Sequence, residues 1–139
     1  MKIAPIALAA LAAALLAACA CGAAAAPSHP GRLVDFTRSG GLAGLQLRVT
    51  VRRDGRATII GGRRDARRHR RLRSRTMRHL RRALAAARFD RVPPFHAGCV
   101  DCFVFAVRYR GVRAAWNAGP GVPRSVQVAV AALMRIAGS

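Results

Sequence analysis

The sequence predicts an α+β fold: an antiparallel sheet of about four to five strands with two helices on one face. Three observations predict it. Two pairs of short alternating segments are each joined by a tight-turn dipeptide, Asp54-Gly55 and Arg110-Gly111, the signature of β-hairpins. Each pair is followed by a stretch with apolar residues at helical spacing. The repeated order, hairpin then helix, lets both helices lie on the same apolar sheet face.

Leu33-Val34-Asp35-Phe36-Thr37 reads as the first strand, short and rich in β-branched and aromatic residues. Ser39-Gly40-Gly41-Leu42-Ala43-Gly44 follows; its glycines mark a loop that needs unusual backbone angles or close approach. Leu45, Leu47, Val49 and Val51 then share one face, and Gln46, Arg48 and Thr50 the other, which is a half-buried strand. Residues 56–60 return as its hairpin partner. Residues 61–71 are polar, basic and without a period, so a solvated loop is expected there. Ser74 is placed to cap a helix over residues 75–88. Met77, Leu80, Leu84 and Ala87 form its apolar stripe, Leu72 and Phe89 flank it, and Arg78, Arg81, Arg82 and Arg88 cover the other faces.

Pro93-Pro94 makes residues 90–98 an extended connector. Phe103, Phe105, Val107 and Tyr109 alternate with Val104, Ala106 and Arg108, giving another strand. Residues 112–116 return beside it. Gly119-Pro120-Gly121 breaks the chain, and Pro123 suits the first turn of a final helix. Val126, Val130, Leu133 and Ala137 give that helix its buried side.

The N-terminal stretch stands apart. Lys2 is the only charge before Arg32, and an uncharged Ala/Leu/Ile run follows it. A basic tip, an apolar stretch and small residues form the layout of an export signal. Leu16-Ala17-Ala18-Cys19 resembles a bacterial lipobox. That resemblance implies cleavage before Cys19, lipidation of its thiol and a membrane anchor made of several acyl chains. An uncleaved anchor helix is the competing reading, because the apolar run reaches Ala26; full secretion is another. The expected organisation is a signal peptide over 1–18, a flexible Ala/Pro/Ser tether over 19–31 and one domain over 32–139, located in the cell envelope.

The formal net charge is +20. Such a balance suits polyanions: nucleic acid, anionic lipid or cell-wall polymer. Ala, Gly, Arg and Pro share GC-rich codons, so composition alone accounts for part of the excess. The densest run supplies the candidate anion-binding residues Arg63, Arg64, Arg67, Arg68, Arg70, Arg71, Arg78 and Arg82.

Four cysteines are present. Cys99 and Cys102, in Cys-Val-Asp-Cys, can pair in an oxidising compartment, which leaves Cys21 over. With His96 they supply only three of the four ligands a structural zinc site wants. A redox-active pair gains reactivity at a helix N-terminus, and here a strand follows instead. A small disulfide stiffening the entry to that strand is the remaining reading. No metal or cofactor is expected.

Enzyme signatures are scarce. Glutamate is absent, the five acidic residues are scattered aspartates, and no nucleophile elbow, phosphate loop or paired-histidine helix occurs. Catalysis is not expected.

Phe36-Thr37-Arg38-Ser39-Gly40-Gly41-Leu42-Ala43-Gly44, leading directly into an alternating strand, resembles the opening of the emfourin family. These are small proteinaceous inhibitors of thermolysin-like zinc metallopeptidases. The similarity extends to the Ala-rich helix end before Phe89, to Pro93-Pro94, to the Phe-x-Phe-x-Val-x-Tyr strand and to the Val-Pro step before the last helix. This chain is basic where such relatives carry acidic loops. The resemblance implies a monomeric inhibitor whose loop, Ser39, Gly40, Gly41, Leu42, Ala43 and Gly44, enters a protease cleft with Leu42 as the apolar anchor. The alternative is a basic cell-envelope module that binds anionic lipid, polymer or nucleic acid.

Overall fold

A computed structural model describes residues 31–41, 44–61, 66–96 and 101–138. The signal segment, Cys19, Cys21, Leu42, Ala43, Arg63, Arg64 and Cys99 all lie outside the described residues. In chain order the elements are β1 (Arg32–Gly40), β2 (Leu45–Arg52), β3 (Arg56–Gly61), β4 (Ala66–Arg71), α1 (Ser74–Ala86), a single 3-10 turn at Phe89–Arg91, β5 (Phe103–Tyr109), β6 (Val112–Asn117) and α2 (Arg124–Gly138). The six strands form one antiparallel sheet in the order β4-β3-β2-β1-β5-β6.

The expected α+β architecture is present, with one strand more than the sequence indicated. The added strand is β4, which replaces the solvated loop expected over residues 61–71. It has no apolar alternation, and five of its six residues are exposed. What makes it a strand is its backbone ladder to β3, from Arg56 opposite Arg71 to Gly61 opposite Ala66. An edge strand exposed on both faces needs no apolar face, and long cationic side chains protect its free edge from further pairing.

Cross-strand partners share a face, so the register sorts the side chains. Val34 and Phe36 stand beside Val51 and Val49 on one side and Tyr109 and Val107 on the other. Ile59 and Ala57 extend the row beyond β2, and Trp116 extends it beyond β5. These side chains are buried in one cluster with Met77, Leu80 and Leu84 of α1 and Val126, Leu133 and Ile136 of α2. Both helices therefore cover one face, and among the described residues no element covers the other.

The expected helix stripes are buried at Met77, Leu80 and Leu84, with Leu72 and Phe89 packed at the two ends of α1. The cap differs. Ser74 is already helical, and the capping position is Arg73, in an extended conformation with no side-chain cap bond. Pro123 immediately precedes α2, and its carbonyl accepts from the backbone N–H groups of Val126 and Gln127. At the other end of α2, the Arg68 guanidinium donates to the Ala137 carbonyl at 2.7 Å and Arg70 donates to the Ile136 carbonyl at 3.1 Å. Cations at a helix C-terminus satisfy carbonyls that have no partner within the helix and favour the negative end of its dipole.

β1 is longer than its sequence suggested. Arg38, Ser39 and Gly40 pair with Leu47, Gln46 and Leu45 of β2, and with Phe105, Val104 and Phe103 of β5. Two of the residues assigned to the loop, Ser39 and Gly40, thus belong to the strand, and the β1–β2 connection shrinks to residues 41–44.

Candidate functional site

β1 sits inside the sheet with neighbours on both sides, so its end is held firmly. That end carries the β1–β2 tip. Gly40 has φ +106°, a conformation open to glycine and strained for other residues. It also lies so close to the start of β5 that a Cβ there would stand 2.3 Å from the Cys102 carbonyl oxygen. The next residue, Gly41, is at φ +76°, and a Cβ on it would meet the Phe103 ring at 3.0 Å. The backbone N–H of Gly44 closes the turn by donating to the Gly41 carbonyl at 2.9 Å.

Phe103 supports this base from below. The Arg38 guanidinium lies over its ring, 3.8 Å from the centroid, a cation–π contact. Cys102, one residue earlier, is a disulfide cysteine, and all the other cysteines of the chain lie outside the described residues. The connector following α1 reaches the same end, where the His96 backbone N–H donates to the Asn117 side-chain carbonyl at 2.8 Å and the Asn117 amide returns a bond to the His96 carbonyl at 3.2 Å.

The helices do not reach the tip. Along β2 the covered face passes from buried Val51 and Val49, through half-buried Leu47, to exposed Leu45. Along β5 it passes from buried Tyr109 and Val107 to half-buried Phe105 and Phe103. An apolar shoulder thus emerges from beneath the helices and runs to the base of the loop. Phe95, 47% exposed, belongs to the same end through its neighbour His96. Sequence alternation put Leu45 and Phe103 on the buried face, which is correct; where helix cover stops is a tertiary property that alternation does not encode.

No model of a known protein family matches the chain, and no curated protein is similar to it.

The structure brings together Ser39, Gly40, Gly41 and Gly44 of the expected inhibitory loop, while Leu42 and Ala43 lie outside the described residues. It does not bring the expected arginines into one patch. Arg67 and Arg71 stand on the open sheet face. Arg68 and Arg70 stand on the helix face, where both bond to α2. Arg78 and Arg82 are exposed on α1. Alternation along β4 splits a contiguous basic run into two opposed surfaces.

A separate hollow of about 670 Å³ lies between α1, α2 and β4, bordered by Leu72, His79, Leu80, Arg135 and Ile136. None of its lining residues belongs to the tip.

Proposed function

We propose that this protein is an exported, membrane-tethered inhibitor of a thermolysin-like zinc metallopeptidase, acting by occupying the enzyme's cleft and not by chemistry of its own. The observation that supports this reading is the pre-organised base of the β1–β2 tip. Gly40 and Gly41 are held against Cys102 and Phe103, so the short segment that follows is presented from a rigid platform. Rigid loops lose less conformational freedom on binding, and binders gain affinity from that saving. The apolar shoulder at Leu45 and Phe103 adds surface that a partner could bury beside the loop.

β1 is nine residues long and begins at Arg32, at the end opposite the tip; eight steps of ~3.3 Å put the tip roughly 26 Å from that residue. Leu42 is assigned as the residue that enters the pocket for bulky apolar side chains.

A titration against a thermolysin-like enzyme tests the proposal. Stoichiometric, competitive inhibition is expected. Leu42→Asp is expected to weaken it at least ~100-fold, the loss of ~3 kcal/mol that removal of a central anchor brings. Rising salt should change it little. Absence of inhibition by the unaltered protein across several such enzymes would end the proposal.

A further inference from the structure

We propose that the open face of the sheet binds a linear, phosphate-bearing polymer running across the strands, gripped by Arg67, Arg48, Arg108 and Arg113. This does not rest on the inhibitor reading. Of the arginine run only Arg67 takes part; the other three arginines come from β2, β5 and β6.

The register assembles the site from distant parts of the chain. Arg67 on β4 faces Ile60 on β3, and Ile60 faces Arg48 on β2. Arg48 faces Thr37 on β1. One row further along, Asp35 on β1 faces Arg108 on β5, and Arg108 faces Arg113 on β6. With strands ~4.8 Å apart, the four arginines stand at successive intervals of roughly 10, 10 and 5 Å, a span of roughly 24 Å across the sheet.

Two hollows of about 410 and 520 Å³ lie along this line. The first is bordered by Ser39, Gln46, Ile60 and Arg67, the second by Arg32, Asp35, Arg108 and Arg113. Thr37 and Arg48 border both, so the two are contiguous. A groove of this shape suits a chain more than a bilayer plane.

Among the described residues the face carries one carboxylate, Asp35, which accepts from Arg32 and from the Thr50 hydroxyl. The guanidinium groups of Arg48, Arg67, Arg108 and Arg113 have no ion pair or hydrogen bond among the described residues. Guanidinium forks match phosphate oxygens, and the hydroxyls of Thr37 and Ser39 supply further donors.

The face also lacks what base recognition would need. Every aromatic residue of the strands, Phe36, Phe103, Phe105, Tyr109 and Trp116, stands on the helix side. The one ring on this face among the described residues is the imidazole of His69, hydrogen-bonded to the Thr58 hydroxyl at 3.2 Å; with no Phe, Tyr or Trp platform to stack on, the surface grips a backbone of phosphates without reading bases.

The test measures binding of fluorescent inorganic polyphosphate to the full chain in a neutral detergent, by anisotropy at several salt concentrations. Tight binding that weakens with salt is expected. Arg48→Gln with Arg108→Gln should weaken it at least ~10-fold and reduce the logarithmic salt slope by roughly 1 to 1.5, the loss of two phosphate contacts on a single-stranded polymer. Arg78→Gln with Arg82→Gln on α1 should change it less than about twofold, because field without a groove gives only non-specific attraction. Circular dichroism melting of each pair confirms that the fold is retained. The proposal is overturned if the two pairs weaken binding equally, or if polyphosphate fails to bind. It is equally overturned if anionic phospholipid in mixed micelles competes as well at equal phosphate concentration, or if one nucleic-acid sequence is strongly preferred over another.

Discussion

Gly40 and Cys102 approach so closely that no side chain fits between them: a Cβ on Gly40 would lie 2.3 Å from the Cys102 carbonyl oxygen. The contact joins the end of the central strand to the start of β5, and it fixes where the chain leaves the sheet. Gly40→Ala would meet both that clash and an unfavourable positive φ, and is expected to destabilise the fold by about 2–3 kcal/mol. Its neighbour Ser39→Ala should change stability by less than ~0.5 kcal/mol, as surface substitutions do. Urea denaturation of the two variants measures the difference, and equal midpoints would contradict this account of the tip.

Trp116 is 1% exposed and packs against Phe105 at 5.8 Å and Phe89 at 6.4 Å between ring centroids. It ties the β6 edge to the segment after α1. Trp116→Ala should cost about 3–5 kcal/mol, as for a large aromatic removed from a packed core. Tryptophan fluorescence cannot follow this variant, since Trp116 is the chain's one tryptophan; thermal melting by circular dichroism can.

Arg68 bonds the Ala137 carbonyl from across the sheet edge. Arg68→Ala should cost about 1 kcal/mol, partly through the lost interaction with the helix dipole. Hydrogen exchange should quicken in the last turn of α2 and not in α1. Protection unchanged at that turn would show that the contact contributes nothing.

Asp54 sits in the β2–β3 turn, where the backbone N–H of Arg56 donates to its carboxylate at 3.1 Å. That bond, with the nearby positive charges of Arg52, Arg56 and Arg71, holds its pKa below the ordinary 3.8. A carboxylate with a depressed folded pKa stabilises the fold above its unfolded pKa and loses that contribution as pH falls through the folded value. The stability of the native protein should therefore decline below about pH 4, and that of Asp54→Asn should decline less steeply over the same range. Parallel acid limbs in the two urea titrations would refute the assignment.

The parts of the fold written in local hydrophobic periodicity are legible in the amino-acid order alone. Leu47, Val49 and Val51 alternate because β2 buries one face; Met77, Leu80 and Leu84 recur at helical spacing because α1 buries one stripe. Asp54-Gly55 and Arg110-Gly111 declared both hairpin turns, and Arg110 and Gly111 indeed take positive φ. The glycines of the tip were legible too, since few other residues accept such angles.

The remainder depends on pairing between distant segments. β4 became a strand through its ladder to β3, a long-range interaction that leaves no apolar pattern in residues 66–71. That pairing then assigned Arg68 and Arg70 to α2 and Arg67 to the opposite face. Arg48, Arg108 and Arg113 lie far apart along the chain and meet only because β1 stands between β2 and β5. Local sequence encodes which side chains share a face of one element; it does not encode which elements become neighbours, and the charged open face exists only through that second relationship.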